Sequence, residues 1–157
     1  MKIAIGTDGW GTWLKDSLKE HLLSKGIDVI DVGSFPDMKR RYYEVARDVA
    51  VKIQQGEADK GILLCGTGMG VAIVANKFKG IYAAVVETEF GALKAKQINN
   101  ANVLTMGPMM ISEWRAKRAV DNWLSANHTD EAASKEVADF LKHSLDVIKE
   151  IEDENFK

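Results

Sequence analysis

The chain alternates short, near-continuous apolar runs with longer segments in which apolar residues recur every three or four positions. The runs at residues 61–64 and 83–86 carry no polar alternation at all. Strands that are apolar on both faces are typical of a parallel sheet covered by helices on both sides. Because parallel strands need crossover connections, the pattern predicts an α/β fold: a Rossmann-like, doubly wound domain with a five-stranded parallel sheet.

The positions of the elements follow from the same periodicities. We predict strands at residues 2–6, 28–32, 60–65, 82–86 and 102–106, with amphipathic helices between them. A last helix is predicted over residues 134–153, with Ser134 as its possible N-cap. Because little sheet remains for this helix to cover, we expect it to pack on a partner subunit. A chain of 157 residues has the usual size of one domain, so residues 1–157 are predicted to form one unit.

The composition narrows the class of protein. A formal net charge of −2 gives no electrostatic reason to expect a nucleic acid or membrane partner, and the basic clusters at residues 39–41 and 115–118 are interpreted as solvated faces. One cysteine cannot form an internal disulfide, and no spacing indicates a metal site, which favours a cytoplasmic location. No apolar stretch approaches the roughly 18 residues of a membrane span, so we expect a soluble protein.

The only cysteine lies where a predicted strand turns into a helix, in the motif Cys65-Gly66-Thr67-Gly68-Met69-Gly70. Such a turn directs several unpaired backbone N–H groups, and the positive end of a helix dipole, at one small volume. An oxyanion or phosphate is expected to bind there, and a neighbouring thiol is favoured as thiolate. The glycine spacing does not match G-x-G-x-x-G and there is no Walker lysine, so a nucleotide site is not indicated.

Other polar residues follow the carboxyl ends of the predicted strands, where ligands bind in open parallel sheets. Asp8 follows the first strand, and we expect it to face the same crevice as Cys65. Asn99 and Asn100 end the fourth predicted helix, and we expect their side-chain amides to reach the rim of that crevice. Each also has a plainer interpretation. Cys65 is also consistent with an inert core residue, Asp8 with a helix N-cap, and the two asparagines with a helix-ending turn.

These residues resemble a known family. The start Ile3-Ala4-Ile5-Gly6-Thr7-Asp8, the run from Gly61 to Gly70, Ala75-Asn76-Lys77 and Asn99-Asn100-Ala101-Asn102-Val103 are similar to the type B ribose-5-phosphate isomerases and galactose-6-phosphate isomerases. The resemblance implies an aldose–ketose isomerase that needs no cofactor, acts on a small sugar phosphate through a cis-enediolate, and works as a homodimer or dimer of dimers with sites shared between subunits.

The resemblance also implies roles for individual residues. Cys65 is expected to be the proton-transferring base, assisted by Asn99, while Asp8 and Tyr42 contact the sugar. The turn is expected to supply amide donors to the enediolate oxygen. The full expected set is Cys65, Thr67, Asn99 and Asp8 in catalysis, with Gly9, Tyr42, Gly66, Gly68, Met69, Gly70 and Asn100 in substrate binding.

The chain departs from the family where the ring is opened and the phosphate is held. Ile98 replaces the ring-opening histidine, and the positions of the phosphate-binding histidine and arginines carry Gly9, Met109, Ala132 and Glu136. A tetrose phosphate, which cannot close a furanose ring, explains Ile98, whereas a pentose phosphate does not. The missing arginines leave two alternatives: phosphate bound by other cations, among Arg40, Arg41, Lys94 and Lys135, or an unphosphorylated substrate. A companion subunit that binds sugar phosphate without turnover is the alternative function.

Overall fold

A five-stranded parallel sheet forms the centre of the computed structural model, which describes residues 1–156. The strands are β1 (Lys2–Thr7), β2 (Asp28–Asp31), β3 (Lys60–Leu64), β4 (Ala83–Val85) and β5 (Val103–Met106). They are ordered β2-β1-β3-β5-β4, and every neighbouring pair is parallel. All five predicted strands are confirmed, with ends that differ by at most one residue.

Helices cover both faces of this sheet, as the apolar strands require. They are α1 (Thr12–Ser24), α2 (Tyr42–Gln54), α3 (Met69–Ala75), α4 (Glu89–Gln97), α5 (Glu113–Ser125) and α6 (Lys135–Asn155). One core cluster joins the strands to α1, α4 and α5, and a second joins them to α2 and α3. Successive strand residues alternate between the clusters: Leu64 belongs to the first, whereas Leu63 and Cys65 belong to the second.

The strand order places a topological switch point between β1 and β3. From β1 the chain moves outward to β2, and it then returns to β3 on the other side of β1. The carboxyl ends of the two strands are level, because Thr7 pairs with Leu64. In sheets of this kind ligands bind in the crevice outside the strand ends at the switch point. Asp8 and Cys65, each one residue beyond its strand, therefore flank that crevice.

Helix α6 differs from the others because none of its residues is buried. Its apolar residues stay exposed, among them Phe140 at 65% and Ile151 at 52%. Ser134 caps it as predicted, accepting a hydrogen bond from the amide of Val137 at 3.3 Å. Within residues 1–156 no helix has the length and apolarity that crossing a bilayer requires.

Candidate active site

The thiol of Cys65 lies at the boundary between the core and the glycine-rich turn. Its residue is 7% exposed and belongs to the core cluster of Val45 and Val71. Its Sγ also accepts a hydrogen bond from the amide of Gly68 at 3.1 Å. The sulfur is therefore a hydrogen-bond partner of the turn as well as a residue of the core.

The turn that follows Cys65 is held in one conformation by its glycines. Gly68 has φ of +83°, and a Cβ there would lie 2.7 Å from Cα of Met106 on β5. A Cβ on Gly107 would overlap the carbonyl of Gly66, so strand and turn are in backbone contact. The turn therefore needs glycine both for its left-handed φ and for this close approach.

Several amides of the turn have no acceptor. Within residues 1–156, the N–H groups of Gly66, Thr67, Gly70 and Val71 donate no hydrogen bond, whereas Met69 donates to Thr67 Oγ1 at 3.4 Å. The unpaired amides lie in the loop and first turn of α3, beside the sulfur. They can donate to an oxygen on which negative charge develops.

A cleft of about 770 Å³ lies at the end of β1. It is lined by Asp8, Gly9, Trp10, Lys39, Arg40, Arg41 and Tyr42. The ring of Tyr42 connects the cleft to the turn, because a Cβ on Gly70 would lie 3.1 Å from Cε2 of that ring. The structure therefore brings together Asp8, Gly9 and Tyr42, and it joins them to the turn of Cys65.

Asp8 is not the N-cap of α1, which is Gly11. Its Oδ1 instead accepts a hydrogen bond from the amide of Trp10 at 2.9 Å. Burial raises the pKa of Asp8, and donors from the backbone of Trp10 and Gly11 oppose that rise. The carboxyl group is thus held by its own loop while its residue lines the cleft.

The basic residues at 39–41 line the cleft, whereas the sequence led us to expect a solvated face. Arg40 is a structural residue: its guanidinium donates to the carbonyl of Val32 at 2.8 Å and pairs with Asp48 at 2.7 Å. Lys39 and Arg41 are exposed, and within residues 1–156 neither the Lys39 amine nor the Arg41 guanidinium has a carboxylate within 4.0 Å, although the backbone amide of Arg41 donates to Glu44 Oε2 at 2.8 Å. These two cations are available to an anionic ligand.

The asparagines lie elsewhere in the same chain. Asn99 lines a separate groove of about 280 Å³ with Tyr82 and Ile148, and Asn100, at φ of +50°, accepts a hydrogen bond from Lys96. Ile98 lines a third groove with Lys94, whose amine bonds Gln97 instead of facing the Asp8 cleft. Neither Asn99 nor Asn100 lines the cleft of Asp8 within one chain, so the expectation of a single shared crevice is not met there.

Known proteins are similar to this chain in sequence and in fold. The family model described as Ribose/Galactose Isomerase matches residues 3–140. The chain belongs to this family. The isomerase is 39% identical to the 4-deoxy-4-sulfo-D-erythrose isomerase of a Clostridium species, with 100% of this chain and 99% of the relative covered. It is also 39% identical to the D-erythrulose-4-phosphate isomerase of Pectobacterium atrosepticum, over 80% of this chain and 84% of the relative.

Its fold is that of solved family members. Ribose-5-phosphate isomerase B of Clostridium thermocellum superposes with a TM-score of 0.89 at 34% identity, and 99% of each chain is covered. The predicted Rossmann-like α/β fold and family membership are therefore confirmed. Among residues 1–156, no three His, Cys, Asp or Glu side chains are grouped closely enough to hold a metal ion.

Sequence reasoning missed Lys39 and Trp10 as lining residues of the cleft. Trp10 is 68% exposed and directly follows the Asp8-Gly9 turn. The available signal was the position of the basic cluster immediately before Tyr42, a residue that the family resemblance had already assigned to the sugar.

Proposed function

We propose that the isomerase interconverts the aldose and ketose forms of a four-carbon sugar with a terminal anionic group, with Cys65 as the proton-transferring base. The observation that carries the chemistry is the Cys65 sulfur, which follows β3 and accepts the amide of Gly68 at 3.1 Å. Unpaired amides of the same turn lie beside it. Base and anion-stabilising donors are the two requirements for removing a proton next to a carbonyl.

The reaction moves one proton between C2 and C1, which are the carbonyl carbon and its neighbour. In the ketose direction the Cys65 thiolate takes the proton from C2 of the open-chain aldose, and the electron pair passes to the carbonyl oxygen. The resulting enediolate is stabilised by the amides of Gly66, Thr67, Gly70 and Val71. The thiol then returns the proton to C1, while a hydroxyl proton moves from the oxygen on C2 to the oxygen on C1. No external reductant or oxidant is needed.

The four-carbon assignment rests on Ile98, an aliphatic side chain that cannot transfer a proton. A tetrose whose C4 carries a phosphate ester or sulfonate has no free C4 hydroxyl to close a furanose ring, so it needs no ring-opening group. Two relatives at 39% identity have names that specify four-carbon substrates of this kind. A pentose phosphate, the alternative, would have to open its ring without help from position 98.

A second copy of the chain completes the site in this proposal. Asn99, expected to assist proton transfer, does not line the cleft of Asp8 in its own chain. Helix α6 leaves its apolar residues uncovered. A homodimer that covers α6 and brings the partner's groove to the Cys65 turn accounts for both observations.

A panel of aldose and ketose phosphates with four, five and six carbons tests the assignment. We expect interconversion of erythrose 4-phosphate and erythrulose 4-phosphate, or of the 4-sulfo analogues, with a kcat/KM at least roughly tenfold above any pentose phosphate. Faster turnover of ribose 5-phosphate would refute the four-carbon assignment. Thermal stabilisation by these sugars without turnover of any of them would identify a companion subunit instead.

A further inference from the structure

The positions at which relatives hold phosphate carry no cation in this chain. They are Gly9, Met109, Ala132 and Glu136. The side chain of Met109 lies against the catalytic turn, since its Cε is 3.3 Å from where a Cβ of Gly66 would stand. That side of the turn is therefore covered by an apolar thioether. A terminal anion must be held by other groups, because leaving it without a cation partner in a cleft is costly.

Lys39 fills the space beside Gly9. A Cβ built on Gly9 would lie 3.8 Å from Cδ of Lys39, which is the contact nearest to that position. The stem of the lysine therefore passes over the glycine, and its amine is carried along the wall of the Asp8 cleft. A Cβ alone would make an ordinary contact at this distance, whereas a side chain that extends beyond Cβ at position 9 would compete with Lys39 for this space. Where the family resemblance implies a histidine, this chain has a glycine, and the amine of Lys39 comes from another loop.

Arg41 supplies a second cation on the same wall. It is the N-cap of α2, a helix of 13 residues, and it lines the cleft between Arg40 and Tyr42. Within residues 1–156 the amides of Tyr42 and Tyr43 donate no hydrogen bond. These amides add donors to the charges of Arg41 and Lys39, while the carboxylate of Glu44, which accepts the amide of Arg41 at 2.8 Å, offsets part of the positive helix dipole. Arg40 differs because its guanidinium is already bound to Val32 and Asp48.

We propose that Lys39 and Arg41, above Gly9 and the first turn of α2, form the subsite for the terminal tetrahedral anion of the substrate. This inference rests on the proposed isomerase function. The anion is a phosphate ester or a sulfonate, which share three charged or partly charged oxygens. Asp8 lines the same cleft, and its carboxylate is expected to accept hydrogen bonds from the hydroxyl groups of the sugar and to repel its anionic end, which orients the sugar in the cleft.

The test compares Lys39→Gln, Arg41→Gln and the double variant with Arg47→Gln. Arg47 lies on the same helix, is 60% exposed and does not line the cleft, so it controls for the loss of one positive charge. With erythrulose 4-phosphate, each subsite variant should raise KM roughly 10- to 100-fold and change kcat less than about threefold. Lys39→Arg should recover most of the lost affinity. The 4-sulfo analogue, assayed in parallel, shows which anion the pair prefers.

Binding of inorganic phosphate separates this inference from the proposed function. Phosphate should raise the melting temperature of the wild type and of Arg47→Gln, and this rise should be lost in the double variant. Turnover with unchanged KM in all variants would overturn the subsite and leave the isomerase function in place. Absence of turnover together with phosphate binding that depends on Arg41 would refute the function and support the subsite. Phosphate stabilisation that persists in the double variant would also overturn the subsite.

Discussion

Gly68→Ala tests whether the catalytic turn is held against β5. Gly68 has φ of +83°, and a Cβ there would lie 2.7 to 2.8 Å from three backbone atoms of Met106. The left-handed conformation costs an alanine about 1–2 kcal/mol. The overlap with a strand backbone that cannot rotate away adds about 1–3 kcal/mol. We therefore expect the free energy of unfolding to fall by about 2–5 kcal/mol, measured by urea denaturation.

Gly26→Ala is the matched control for this substitution. Gly26 also has a positive φ, of +73°, but nothing lies within 4 Å of its Cβ position. It should lose only the conformational part, about 1–2 kcal/mol, and keep full activity. Gly68→Ala should also lose activity, because the amide that contacts Cys65 moves with the turn. Equal destabilisation in the two variants would refute the close packing of turn and strand.

Three further predictions concern stability and assembly. Burial would raise the pKa of Asp31, but hydrogen bonds led by that of Lys15 outweigh burial and lower the pKa. The contacts of the ionised Asp31 therefore stabilise the fold above about pH 4, and this stabilisation is lost as the pH falls. Asp31→Asn leaves Lys15, 1% exposed, with the exposed Asp16 as its remaining carboxylate partner at 3.1 Å, and should cost up to about 3 kcal/mol in urea melts, against less than about 1 kcal/mol for Asp16→Asn. Burial lowers the pKa of Lys60 to about 8 from 10.5. Between these values the unfolded chain holds the extra proton, so stability should rise with pH there, and Lys60→Met should reduce that rise in pH-dependent melts, leaving the part due to Lys96, whose pKa burial also lowers. Phe140→Glu should convert a dimer into monomers with lower activity, as measured by sedimentation, and an unchanged mass would contradict a role for α6 in assembly.

The sheet was predictable because its signal is local. Strands apolar on both faces admit few arrangements, and each of the five predicted strands is present with small differences at its ends. The position of Cys65 was predictable for the same reason, since a strand followed by a glycine-rich turn places that residue at the sheet edge. The cap of α6 at Ser134 was equally local, because it depends on residues three apart.

The wall of the cleft was not predictable, because it depends on contacts between distant segments. Residues 32–41 take their course from Arg40, whose side chain bonds the carbonyl of Val32 and the carboxylate of Asp48, and from Ser34, which accepts the amide of Arg40 at 2.7 Å. Only this course brings Lys39 over Gly9. In the sequence, three consecutive basic residues gave no indication that the middle one is structural and its neighbours are free.

The separation of Asn99 from Asp8 was missed for a different reason. Asn99 lies between the end of α4 and the start of β5, at the amino edge of the parallel sheet, whereas Asp8 and Cys65 follow β1 and β3 at its carboxyl edge. Asn99 follows α4 and turns toward Tyr82 and Ile148, whereas Asp8 opens toward α2. The predicted order of elements already implied this separation, because Asn99 precedes a strand whereas Asp8 and Cys65 each follow one.

The role of Cys65 as the proton-transferring base is tested most directly by isotope exchange. The wild type, Cys65→Ala and Cys65→Ser are incubated with erythrulose 4-phosphate in deuterated water, and incorporation of deuterium at C1 is followed by NMR. Circular dichroism checks that each variant is folded. We expect rapid incorporation in the wild type and a loss of at least about a thousandfold in both folded variants. Incorporation at the wild-type rate in folded Cys65→Ala would contradict the assignment.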